Sequence, residues 1–99
     1  MYAVIRESTF RPEAQGQYAA AIEEFAAIRA RQPGYRGTVT VDAGDGRRVS
    51  VVFWESEQAQ AAAAPVMQPQ AERILGALWS SPVQIVYQGP VVADDRTAR

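Results

Sequence analysis

The sequence of 99 residues lacks both cysteine and histidine. Without cysteine, disulfides, thiolate metal ligands and a cysteine nucleophile are all excluded. Without histidine, the commonest general base and the commonest metal and haem ligand are missing, so conventional catalytic triads and histidine-ligated metals are excluded too. The acid–base candidates that remain are carboxylates, tyrosine and water.

Strong net charge and long apolar runs are also absent. Ten basic and eleven acidic residues give a net charge of −1. The basic residues are scattered, so we expect no nucleic-acid partner, because a phosphate backbone requires concentrated positive charge. No segment approaches the ~20 apolar residues of a membrane-spanning helix. The first residues have no basic segment ahead of an apolar run, and a charged residue is already present at Arg6. We therefore predict no signal peptide, no membrane association and a cytoplasmic protein.

The apolar content is high enough for a folded core. Hydrophobic residues make up 47% of the sequence and charged residues 21%, a balance typical of globular rather than disordered chains. The length suits a single domain. We predict one domain over residues 1–92, followed by a charged and frayed tail over residues 93–99.

Periodicity and breaker residues predict the element order β-α-β-β-α-β, with the second helical segment split at Pro65. The Asp45-Gly46 pair predicts a tight hairpin, and Ser56 suits a helix N-cap. The predicted elements are, in chain order, a strand Tyr2–Phe10, a helix Pro12–Arg31, strands Gly37–Asp42 and Arg48–Glu55, helices Glu57–Ala64 and Pro69–Trp79, and a strand Val83–Val92.

This order predicts an α+β, ferredoxin-like domain with a four-stranded antiparallel sheet. The helices of such a domain cover one face of the sheet, so strands with a solvated face should alternate apolar and polar residues. Residues 51–54 and 85–87 are instead consecutive apolar runs. Both faces of the sheet therefore carry apolar side chains, and we predict a homodimer in which a second copy covers the face that the helices leave open.

Two stretches carry a family resemblance, Gln32–Gly37 after the first helix and Val51–Glu57 at the end of the third strand. With this spacing and element order, the sequence resembles the antibiotic biosynthesis monooxygenase family over roughly Tyr2–Val91. The resemblance implies a ferredoxin-like domain that dimerises into a dimeric α/β barrel.

The resemblance also implies which branch of the family is relevant. The haem-degrading branch ligates iron through a histidine, which this sequence lacks. The cofactor-free branch oxidises aromatic polyketide anthrones to quinones with dioxygen. It resembles this chain in having a tryptophan late on the third strand, at Trp54, but Ser50 and Gln60 stand where that branch has an asparagine and a tyrosine. The arginine of its later helix corresponds to Arg73, so the match is partial.

The resemblance implies three catalytic candidates. Trp54 and Ser50 share one strand face by period-two alternation and would hydrogen-bond and orient the substrate. Arg73 would stabilise a substrate anion. The alternative for Trp54 is a large core residue without any role in chemistry.

Four further residues are candidates for substrate binding. Tyr18, Tyr35 and Trp79 would contact an aromatic ring, although such residues are also common at the edge of a core. Arg6 lies among apolar strand residues, and it must either pair with a carboxylate or face a polar cavity. The ion pair is the expected arrangement.

Two main functions follow from these residues. One is a monooxygenase that oxidises a small apolar or aromatic, polyketide-type substrate with dioxygen, without metal, haem or flavin. The other is a non-catalytic dimeric domain that binds a small molecule in the same pocket. A third possibility is an isomerase or cyclase of a small carbonyl metabolite that uses Glu55 or another carboxylate as its base.

Overall fold

The computed structural model describes residues 1–96, and the last three residues of the expected tail lie outside this part of the chain. The predicted order of strands and helices is confirmed. The elements are β1 (Tyr2–Thr9), a 3-10 turn (Pro12–Ala14), α1 (Gln15–Ala30), β2 (Tyr35–Gly44), β3 (Arg47–Trp54), α2 (Glu57–Leu75), a 3-10 turn (Gly76–Leu78) and β4 (Gln84–Pro90).

The strands form one open four-stranded sheet with the order β2-β3-β1-β4. All three neighbouring pairs are antiparallel. Side chains from both helices join the inner residues of β1 and β3 in a single core, so the helices cover one face of the sheet. This is the ferredoxin-like fold that the element order predicts.

The inner face of the sheet is set by the period of two along each strand. On β1 and β3 the even-numbered residues point toward the helices, and Val4, Val52 and Trp54 are buried there. The helices complete this core with residues such as Phe25 and Leu75. Burial of these apolar side chains is the main stabilising contribution to the fold.

The predicted division of the second helical segment is wrong. Residues Glu57–Leu75 form one continuous helix that contains both Pro65 and Pro69. A proline removes one backbone donor and leaves the carbonyl four residues earlier without a partner, but both prolines and Ala61 are exposed, so water can solvate that carbonyl. Packing of the buried residues of α2, which are Ala63, Met67 and Leu75, holds the helix together through the prolines.

The hairpin and the N-cap form as the sequence predicts. Asp45 and Gly46 have φ values of 56° and 78°, the backbone that a two-residue turn of the primed type requires. Gly46 also lies against the Phe10 carbonyl, which a Cβ would approach to 2.6 Å. The Ser56 hydroxyl accepts a hydrogen bond from the Ala59 amide at 3.1 Å and caps α2.

The outer face of the sheet carries apolar side chains that the helices do not cover. Val39 is 43% exposed, Val41 52% and Tyr87 70%. The Arg96 guanidinium stacks 3.9 Å from the Phe53 ring on this face. Within residues 1–96, no helix has the length and apolar character needed to cross a membrane.

Candidate functional site

A cavity of about 770 Å³ lies between the inner face of the sheet and the two helices. Its volume falls in the range of small-molecule binding sites. The strands supply the floor, where Arg6, Ser50, Val52 and Trp54 point inward. The helices and the 79–83 segment supply the walls, including Tyr18, Ile22, Phe25, Arg29, Gln60, Met67, Leu75 and Trp79.

Trp54 and Ser50 both lie on the cavity floor, four residues apart on the same face of β3. Trp54 is buried, and its ring meets Tyr35 edge to face at a centroid distance of 5.7 Å. The tryptophan is therefore part of the core as well as of the cavity surface. The Ser50 hydroxyl lies 3.1 Å from the Thr40 hydroxyl on β2, and either group can donate.

Arg73 does not reach the cavity. Its Nη2 lies 3.4 Å from a carboxylate oxygen of Glu24 on α1, and both side chains are exposed. Its Nε and Nη2 donate to the Gln70 side chain at 2.9 and 2.8 Å. Arg73 is two residues away from Leu75, which lines the cavity, and residues at this spacing lie on different sides of a helix.

Three of the four substrate-binding candidates line the cavity, namely Tyr18, Trp79 and Arg6. Tyr18 packs edge to face on Phe10 with ring centroids 4.3 Å apart, so its ring is fixed in the wall. Tyr35 is not among the lining residues. Its ring packs behind Trp54, and its hydroxyl is 2.7 Å from that of Thr38.

The expected ion pair of Arg6 is absent within residues 1–96, where none of the ion pairs includes this side chain. Arg6 faces the cavity instead. Burial lowers the pKa of its guanidinium, and the positive charge of Arg29 lowers it further. The expected ion pair is therefore wrong, and Arg6 has the alternative arrangement, in which it faces a cavity.

The sequence interpretation missed Arg29, which lines the cavity from α1. Its position near the end of the helix suggests only a favourable interaction with the helix dipole. A signal was nevertheless present, because Tyr18, Ile22, Phe25 and Arg29 follow one another at steps of three and four residues. Arg29 therefore continues the inner stripe of α1 rather than its solvent face.

Three nitrogen atoms of the cavity residues are buried without a hydrogen-bond partner among residues 1–96: Nε of Arg6, Nε of Arg29 and Nε1 of Trp79. Buried donors are nearly always satisfied in folded proteins, and one left unpaired costs free energy. Such donors are most easily explained at a site that accepts a polar ligand or water.

Glu55 lies outside the cavity lining. Its carboxylate is 3.8 Å from the Arg36 guanidinium, and its side chain is 61% exposed. A general base must lie within hydrogen-bond reach of the substrate, and Glu55 does not line the cavity. The structure therefore gives no support to Glu55 as the base of an isomerase or cyclase.

Comparison with protein families identifies the chain. The family described as antibiotic biosynthesis monooxygenase matches residues 1–64. This match spans more than half of the sequence and includes β1, α1, β2, β3 and the first part of α2. The chain belongs to the antibiotic biosynthesis monooxygenase family. A search of curated proteins gives no significant match.

Solved structures share the fold at low sequence identity. SnoaB from Streptomyces nogalater, a cofactor-independent oxygenase, superposes with a TM-score of 0.68 at 23% identity, covering 94% of this chain and 97% of its own. Rv0793 from Mycobacterium tuberculosis gives 0.72 at 20% identity, with coverage of 94% and 96%. NE2512 from Nitrosomonas europaea gives 0.78 at 14% identity, with coverage of 94% and 90%.

Proposed function

We propose that this protein is a cofactor-independent monooxygenase that oxidises an aromatic, polyketide-type substrate with dioxygen. The observation that carries the proposal is the cavity of about 770 Å³, with Trp54 and Ser50 on its floor and largely apolar walls. Membership in the antibiotic biosynthesis monooxygenase family and the similarity to SnoaB support the same assignment.

The proposed reaction converts a ring methylene of an anthrone into a carbonyl. The methylene gives up two protons and four electrons to dioxygen; one oxygen atom becomes the new carbonyl and the other leaves as water. The deprotonated substrate supplies all the electrons, so the protein has to orient the ring, limit access of water and stabilise the anion. In this scheme Trp54 and Ser50 orient the substrate by hydrogen bonds, and Tyr18 and Trp79 hold its ring.

We further propose that the protein works as a homodimer. The exposed apolar face formed by Val39, Val41 and Tyr87 lies opposite the cavity, so a second copy can cover it without closing the site. Two such open sheets packed face to face would complete the barrel that the family resemblance implies.

An aerobic assay with an anthrone tests the oxidation, with quinone absorbance and oxygen uptake as the two readouts. We expect wild-type protein to form quinone well above the spontaneous rate with one dioxygen consumed per product. Trp54→Phe should lower kcat, while Tyr35→Phe, a similar change outside the cavity lining, should not. A wild-type rate equal to the spontaneous rate contradicts the proposal.

The second candidate is a non-catalytic dimeric domain that binds a small molecule in the same cavity. It is favoured by Ser50 and Gln60, which occupy positions where the sequence resemblance implies an asparagine and a tyrosine. Saturable binding of an anthraquinone without any oxygen uptake from the matching anthrone would establish this function instead.

A further inference from the structure

The charge of the cavity is opposite to that of the whole chain. Of the residues that the structure describes, four arginines and one carboxylate line it, although the chain carries a net charge of −1. Two of the arginines are engaged by protein groups, because Arg48 lies 3.0 Å from an Asp42 oxygen and Arg11 donates to the Trp79 carbonyl at 3.0 Å. The other two lining arginines are Arg6 and Arg29.

Arg6 and Arg29 reach the cavity from two different elements. Arg6 projects from the middle of β1 on the floor, and Arg29 projects from the last turn of α1. The Arg29 guanidinium lies 5.5 Å from the centre of the Phe25 ring and 5.8 Å from that of Tyr35. These rings hold Arg29 in place through cation–π contacts while offering no anion to it.

Neither arginine has a carboxylate partner within residues 1–96. Glu72 also lines the cavity, but it is exposed, and it forms an ion pair with neither of them. Two partly buried positive charges repel each other, and removing them from water has a further cost. An anion placed between them would remove the repulsion and satisfy the donors.

We propose that the cavity binds an aromatic ligand that carries a carboxylate, and that Arg6 and Arg29 together bind this carboxylate. A planar guanidinium matches a carboxylate with two parallel hydrogen bonds. The apolar surface beside them, formed by Val52, Trp54 and Leu75, suits a flat ring system. The inference deepens the proposed function by naming a substrate class; it depends on small-molecule binding in this cavity and not on oxidation.

A pair of matched ligands tests the inference. Anthraquinone-2-carboxylate and its neutral carboxamide have nearly the same shape, so the ratio of their Kd values isolates the charge. Titration calorimetry with wild-type protein should give at least about tenfold tighter binding of the carboxylate, since a charged hydrogen-bonded group contributes more than 1.4 kcal/mol. Arg6→Gln and Arg29→Gln should each bring the ratio close to one while retaining carboxamide binding.

Arg36→Gln serves as the control, because Arg36 is an exposed arginine whose partner Glu55 lies outside the cavity lining. It should keep the wild-type ratio. Equal Kd values for the two ligands in wild-type protein, no binding of either one, or an undiminished preference in both cavity variants would overturn the inference. If one variant fails to fold, the Kd ratio of the wild-type protein and that of the other variant still test the inference.

Oxygen uptake, measured with an anthrone that carries a carboxylate and with an uncharged anthrone, separates this inference from the proposed oxidation. A carboxylate preference without oxygen uptake supports the anion site and removes the monooxygenase. Quinone formation without any preference for the carboxylate ligand supports the monooxygenase and contradicts the anion site.

Discussion

Arg6 on β1 and Ser50 on β3 are register partners, side by side on the face of the sheet that lines the cavity. Ser50 is in turn the register partner of Thr40 on β2, and the two hydroxyls are 3.1 Å apart. A polar row therefore crosses the centre of the sheet. The next row toward Trp54 contains Val52, which lines the cavity, and Val4, which is fully buried beside it. A bound ring would therefore rest on Val52 and Trp54, with polar groups at one end.

Ser50→Ala tests whether the serine of this polar row takes part in catalysis. The change removes a neutral hydrogen bond at a partly exposed position, so we expect a loss of about 0.5–1.5 kcal/mol in the free energy of unfolding. Thr40→Val removes the same hydrogen bond from the other side and should cost a similar amount. If Ser50 orients the substrate, Ser50→Ala should lower kcat/KM about tenfold and Thr40→Val much less. Equal kinetic losses would assign Ser50 a structural role only.

Local patterns were sufficient to predict most of the fold. The apolar strand runs and the Asp45-Gly46 turn identify the strands and the hairpin, because these signals depend on neighbours in sequence. The predicted helix break at Pro65 is wrong, because packing of Met67 and Leu75 in the core offsets the free-energy cost of a proline inside the helix. Such tertiary compensation is not visible in a helical pattern.

The site was less predictable than the fold. Trp54 and Ser50 were placed together by strand alternation, which the fold preserves. The catalytic role predicted for Arg73 depends on the family resemblance alone. The position of Arg73 around the axis of α2 directs its side chain to Glu24 on the surface instead. Arg29 was overlooked because a charged residue in the last turn of a helix usually faces solvent. Only the assembled sheet and helices reveal that Arg29 approaches the same cavity as Arg6.

Val41→Asp should separate the proposed homodimer into monomers. Val41 is 52% exposed on the outer face of the sheet, and an unpaired carboxylate there would be desolvated in an interface. Val66→Asp is the matched control, because Val66 is 51% exposed on α2. Sedimentation velocity at micromolar concentration should show a monomer for Val41→Asp and a dimer for wild-type and Val66→Asp protein. A stable wild-type monomer would contradict the dimer.

Pro65→Ala should raise the free energy of unfolding. Proline in a helix interior costs up to about 3 kcal/mol relative to alanine, and the exposed Pro65 side chain contributes no core packing that would be lost. We expect a gain of about 1–3 kcal/mol in urea unfolding. Pro12→Ala is the comparison, since Pro12 begins the turn before α1, where proline is well tolerated, and it should give no gain. A destabilised Pro65→Ala variant would show that the fold needs a bend in α2.

Gly34→Ala should destabilise the protein more than Gly37→Ala. Both glycines have positive φ, 82° and 115°, so either substitution strains the backbone, at a cost of about 1–2 kcal/mol. A Cβ at Gly34 would also lie 2.6 Å from the Ala59 Cβ on α2, whereas nothing lies within 4 Å of a Cβ at Gly37. The clash should add about 1–3 kcal/mol, as overpacking does elsewhere. Urea unfolding of the two variants measures the difference, and equal losses would mean that α2 shifts freely away from this loop.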